Sequence, residues 1–145
     1  MQNPKELWTT IDKAQKLHGH LGPFLVIGVR MGMIAKKTLN LSEKQCVLLK
    51  ASIRVLFFPP FSCLIDGIQA STTCTVGNQR LRMENSEQIS ASFAEQNVGK
   101  TVKLTLKPMV IEELRKRLAE GTLTQEFAME LVHAPENELF EVETL

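Results

Sequence analysis

Thr101-Val102-Lys103-Leu104-Thr105-Leu106-Lys107, followed at once by Pro108, is the stretch whose reading decides the fold. Val102, Leu104 and Leu106 alternate with polar neighbours, the period-two pattern of a strand with one face buried. Pro108 suits a first helical turn, and a helix is predicted from there to about Glu120, with Gly121 closing it. Downstream, Thr122 and Gln125 form a capping box for a short helix to about Val132. Ala134-Pro135 ends that helix, and Leu139-Phe140-Glu141-Val142 returns as an edge strand. Upstream, Gly77-Asn78 marks a turn, with short strands predicted at 79–84 and 88–94. A longer strand is predicted over 46–58, with Val47, Leu49, Ala51, Ile53 and Val55 on one face and Lys50, Ser52 and Arg54 on the other. Pro59-Pro60 stops it, and Ser62 is placed to cap a helix from Cys63 to about Ser71.

The N-terminal quarter is helical by pattern. Leu7, Ile11, Ala14 and Leu17 repeat at helical spacing after Pro4, giving a helix over 4–17 that breaks at Gly19. A second helix starts near Pro23 and runs to about Leu39. Gly28 and Gly32 share one of its faces, an arrangement that lets another backbone come close, here by packing on a sheet. The order αα-β-α-βββ-αα-β, without a regular βαβ repeat, predicts an α+β fold: N-terminal helices on a mostly antiparallel sheet, with further helices near the C-terminus. At 145 residues the expectation is one domain over 1–145, able to bury a core without disulfides or a structural metal.

Bulk properties exclude several classes. With 23% charged residues and a net charge of +1, no basic stripe marks a nucleic-acid binder. The cluster Arg115-Lys116-Arg117 lies among Glu112, Glu113 and Glu120, as on a solvated helix face. No apolar run reaches the roughly 18–20 residues of a membrane span, and the N-terminus lacks a signal-peptide layout. Cytoplasmic residence with reduced thiols is therefore expected. The three cysteines cannot form a complete disulfide framework within one chain.

Chemistry concentrates in two segments: His18-Gly19-His20-Leu21-Gly22-Pro23, and Cys63-x-x-Asp66-x-x-Gln69 continuing to Thr73-Cys74-Thr75-x-Gly77-Asn78. His18 and His20 extend no apolar stripe and sit in a Gly-punctuated break before a helix N-terminus, whose unpaired N–H groups suit an anionic substrate group. The bland alternative is that both histidines only hydrogen-bond and cap the break. Cys63, at a predicted helix start, is expected to have a lowered pKa, and it shares one helix face with Asp66, Gln69 and Ala70. Cys46 reads as a small core hydrophobe, and His133 as a partner of terminal helix carbonyls. An unbroken helix from 63 to 74 would set Cys63 and Cys74 ~16 Å apart; they share a site only if the chain turns back before Cys74 or a second subunit contributes. Phe57-Phe58-Pro59-Pro60-Phe61 walls a cleft, forms a dimer contact, or packs in the core.

At these segments the chain resembles the FmdE family, a family of formylmethanofuran dehydrogenase subunits and their bacterial relatives. The resemblance rests on His18-Gly19-His20-x-Gly22-Pro23 running into Gly28-x-Arg30-Met31-Gly32, and on Cys63-x-x-Asp66-Gly67-Ile68-Gln69 with Thr73-Cys74-Thr75-x-Gly77-Asn78. It spans about residues 12–107. It implies an α+β core domain, commonly dimeric, with a metal-binding or catalytic cleft lined by the histidine and cysteine motifs. His20, Cys63 and Cys74 are then the leading candidates, with His18 and Asp66 next. Two departures stand out. No cysteine follows Cys74, so the cysteine-rich zinc-finger segment of many relatives has no counterpart here, and a single-domain relative is implied. The usual Thr-Gly-Cys is Thr72-Thr73-Cys74.

Three functions compete on this reading. In the first, His20 with Cys63 and/or Cys74, aided by His18, binds zinc or a similar ion, with Asp66 as its outer partner or proton carrier, in redox or one-carbon metabolism. In this reading the chain is a homodimer, with an oxidoreductase partner subunit as a further expected contact. The second is a metal-free thiol enzyme using Cys63 with His20 as its base. The third is a non-catalytic accessory or assembly module.

Overall fold

A computed structural model describes residues 4–145. Helix α1 (Pro4–His18) leads into α2 (Pro23–Thr38), and a short 3-10 turn (Glu43–Leu48) delivers the chain to strand β1 (Leu49–Val55). Helix α3 (Cys63–Thr72) then precedes β2 (Leu81–Asn85), β3 (Ser90–Glu95) and β4 (Thr101–Leu106). Helices α4 (Pro108–Glu120), α5 (Gln125–His133) and α6 (Glu136–Leu139) follow, and β5 (Phe140–Thr144) closes the described chain. The sheet order is β2-β1-β3-β4-β5. Only the β1–β2 pair is parallel, with Ala51 opposite Leu81, because α3 carries the chain across between them. The other three pairs are antiparallel. The α+β, mostly antiparallel expectation stands, with one βαβ crossover at the sheet edge.

The alternation in the sequence becomes two unlike sheet faces. Leu49, Ala51, Ile53 and Val55 are buried beneath the helices, while Lys50, Ser52 and Arg54 are exposed on the other side. The predicted strand over 46–58 is shorter than expected. Ser42 and Gln45 form a capping box that coils 43–48 into a turn, which leaves Val47 exposed. Thr124 rather than Thr122 starts α5, its Oγ1 accepting from the Phe127 N–H at 3.1 Å.

Helix α2 is buried on all sides over Pro23–Lys36, as a helix apolar all round must be. Its glycines face α3 and not the sheet, which corrects the expectation for Gly28 and Gly32. A Cβ on Gly28 would lie 2.1 Å from the Leu64 carbonyl oxygen, and one on Gly32 would lie 1.9 Å from Ser71 Oγ. Gly67 makes the reciprocal approach from α3, where a Cβ would lie 2.3 Å from the Leu25 oxygen. The two helices therefore meet backbone to backbone, and this fixes where the first turn of α3 sits relative to the α1–α2 break.

Among the described residues, no helix is long and apolar enough to cross a membrane.

Candidate functional site

His18 is the last residue of α1. Gly19, at φ +108°, bends the chain away in a conformation that side chains rarely adopt, and Gly22 is the extended N-cap of α2. The break places His18 against the first turn of α3. Its Nδ1 lies 2.7 Å from Asp66 Oδ2, while Asp66 Oδ1 accepts from Gln69 Nε2 at 3.0 Å. Both carboxylate oxygens are thus engaged, and the ionised carboxylate requires the proton on His18 Nδ1. The other ring nitrogen, Nε2, is sealed from solvent and has no partner. The more exposed His20 ring lies 4.8 Å from the His18 ring, centroid to centroid.

Cys63 opens α3 one turn before Asp66 and is half-buried. Its expected low pKa is overturned: burial pushes the thiol up, the Asp66 charge adds to this, and a backbone hydrogen bond opposes it. The local structure gives the reason. Ser62 is itself in helical conformation and makes no side-chain cap. The N–H groups of Cys63, Leu64 and Ile65 already bond the carbonyls of Pro60, Phe61 and Ser62 at 3.1, 3.3 and 3.0 Å. Little free N–H remains to favour a thiolate. Beside Cys63, Phe61 is buried against Phe24, with ring centroids 5.1 Å apart, while Phe57 and Phe58 are exposed.

The structure does not bring Cys74 to this site within one chain. Helix α3 continues unbroken to Thr72, so its length of about 15 Å separates the two cysteines. Cys74 is fully buried and donates its thiol to the Leu49 carbonyl at 3.2 Å. Thr73, in the position where relatives carry glycine, is left-handed at φ 62°. A β-branched residue is strained there. Thr73→Gly is expected to raise stability by about 1 kcal/mol, read as a higher urea midpoint with an unchanged slope; a lowered midpoint would show that the Thr73 side chain offsets the strain.

The thiols of Cys46, Cys63 and Cys74 are all pushed up, first by burial. Unfolded thiols ionise near about pH 8.5, so above that pH the native state holds protons that the unfolded chain has lost. The stability from these buried thiols is therefore intact at neutral pH and declines as pH rises through this range. The urea midpoint is expected to fall from neutral pH to about pH 10, and less steeply in Cys74→Ala. An equally steep fall in that variant would remove Cys74 as a cause.

Among the described residues, no group of three or more His, Cys, Asp and Glu side chains is placed to hold a metal ion. The dyad nevertheless offers one prepared donor. A histidine that gives one ring N–H to a carboxylate and turns the other nitrogen to an unfilled position has the arrangement found around bound metals. His18, ranked behind His20 from the sequence, is the better-built group. The Asp66 spacing from Cys63 signalled a shared face but not that its carboxylate would meet His18.

Comparison with known proteins adds the following. The model of the FmdE family, described as "Molybdenum formylmethanofuran dehydrogenase operon", matches residues 17–142. A "Probable S-adenosyl-L-methionine-binding protein" of Archaeoglobus fulgidus is 29% identical, the alignment covering 97% of this chain and 44% of that protein. The chain thus spans less than half the length of this curated relative. The crystal structure of an FmdE-like protein of tungsten formylmethanofuran dehydrogenase type, from Syntrophus aciditrophicus, shares the fold. Its TM-score is 0.69 at 23% identity, covering 96% of this chain and 71% of that one.

Proposed function

This chain belongs to the FmdE family, and from that premise we propose that it is a metal-binding domain of formylmethanofuran-dehydrogenase-type redox and one-carbon metabolism. His18 Nε2 and His20 would hold zinc or an ion of similar preference, with Cys63 as the thiol donor. The observation that carries this reading is the buried, unpartnered His18 Nε2, whose ring is fixed from behind by Asp66. Cys74 lies too far along α3 to join these donors in one chain. A substrate group or a second copy of the chain in a homodimer would complete the coordination, and the domain would serve an oxidoreductase partner in the cytoplasm.

A bound zinc ion supplies a Lewis acid able to polarise a carbonyl. The chain's residues do the rest. Asp66 keeps the His18 proton on Nδ1 and the lone pair on Nε2. Gln69 braces Asp66, and Phe58 and Phe61 exclude water beside Cys63. Ligation would require Cys63 to release its proton, so uptake should weaken as pH falls. The raised Cys63 pKa counts against the metal-free thiol enzyme.

The test is metal analysis of protein purified without an affinity tag, beside His18→Ala and Cys63→Ser. Near-stoichiometric metal lost from both variants is expected. Absence of metal from fresh, reduced protein, with no uptake of added zinc, would overturn the reading. The name of the Archaeoglobus relative makes S-adenosyl-L-methionine the second ligand to titrate.

A further inference from the structure

Arg30 lies in the middle of α2 and is 6% exposed. All three of its hydrogen bonds leave from Nη1, to the carbonyls of Leu131, Val132 and Ala134 at 2.8, 3.1 and 2.7 Å. The guanidinium thereby satisfies the open C-terminal end of α5. Its other edge is unused. Nε is sealed from solvent without a partner, and none of the ion pairs among the described residues includes Arg30. A buried cation met at contact only by carbonyl dipoles is short of a counter-charge.

Arg30 also forms part of the wall of a cleft of 490 Å³ between the start of α1 and the α5–α6 junction. Trp8, Lys37, His133, Pro135 and Glu136 contribute to the same wall. The Trp8 ring stands 5.9 Å from the His133 ring at an interplanar angle of 59°, and Lys37 holds Glu136 at 3.0 Å. The cleft is remote from the His18–Asp66 dyad. Trp8 and His18 lie ten residues apart on α1, about 15 Å along the helix.

We propose that this cleft binds a small monocarboxylate with a flat apolar body. The carboxylate pairs with the free edge of Arg30 and with Lys37, and the body rests against Trp8 and Pro135. A guanidinium edge matches two carboxylate oxygens. Charge selects the class further: Arg30 and Lys37 against Glu136 leave one net positive charge with His133 neutral, which balances a monoanion and not a phosphate dianion. Trp8 supplies an aromatic face for a planar ligand.

The protein carries its own reporter, since Trp8 is the only tryptophan and there is no tyrosine. Benzoate and its uncharged counterpart benzamide are titrated at constant ionic strength while Trp8 fluorescence is read. Benzoate is expected to give a saturable change with a dissociation constant on the order of 1 mM, with benzamide at least about ten-fold weaker. Two partly exposed positions give variants that spare the core. Glu136→Gln removes a like charge and should tighten benzoate several-fold; Lys37→Gln should weaken it by a similar factor. Equal responses to benzoate and benzamide, no saturable response, or weakening in Glu136→Gln would each overturn the proposal.

Discussion

Gly67→Ala is expected to lower the melting temperature by about 10 °C or more, corresponding to about 3 kcal/mol. The added methyl would lie 2.3 Å from the Leu25 oxygen, 2.7 Å from the Val29 nitrogen and 2.9 Å from the Gly28 Cα. All three obstacles are backbone, so no side-chain rotation relieves them; α2 and α3 must part. That separation also opens contacts around a helix buried on every side, which places the cost at the upper end of overpacking. Gly77→Ala is the control, because its nearest neighbour outside the adjoining residues is Thr75 Oγ1 at 3.9 Å. A Gly67→Ala protein melting within about 2 °C of the parent would sink the backbone-to-backbone packing of α2 and α3. The same variant should displace Asp66 from His18, since α3 carries one and the end of α1 the other.

Asp66→Asn is expected to cost about 10- to 100-fold in zinc affinity while leaving the fold intact. One side of an asparagine amide is a donor, and His18 Nδ1 presently faces an acceptor at 2.7 Å. A donor turned towards Nδ1 drives the imidazole proton to Nε2, the nitrogen proposed to hold the ion. If the amide oxygen faces His18 instead, the tautomer survives but the carboxylate charge is lost. Either arrangement weakens the ligand. The substitution also removes the charge that helps push the Cys63 thiol up, so alkylation of Cys63 near neutral pH should become faster. Weaker zinc and a more reactive thiol in one variant are opposite movements, which general loosening of the site does not produce together with an unchanged melting temperature. Unchanged zinc affinity would remove Asp66 from the site.

Much of the fold was legible because local patterns and tertiary burial agree. The alternation of Val102, Leu104 and Leu106 has one answer once a face is buried, and Pro108 and Gly121 bracket α4 as their backbone preferences require. Where local rules competed, the reading slipped. Val47 continues the apolar alternation of β1, yet the capping box of Ser42 and Gln45 takes it into a turn. Ser62 has a capping side chain, but the preceding turn already consumes the N–H groups that it would have served. The thiol of Cys63 moved with it, from an expected fall in pKa to a rise.

By itself the sequence determined the α+β class, the FmdE-family motifs, and the two segments in which the site residues lie, because periodicity and motif spacing are properties of the chain alone. Only the tertiary structure decided which of those residues meet. His18 and Asp66 are 48 positions apart and are joined because three glycines let α2 and α3 touch. Cys63 and Cys74 are near in sequence and are parted by the rigid length of one helix. Arg30 reads as one residue of a motif until α5, about a hundred positions later, brings its carbonyls to Nη1 and leaves the other edge unpaired. Proximity in space follows from how closely backbones can approach, and in this chain glycine sets that approach in tertiary contacts that no local pattern records.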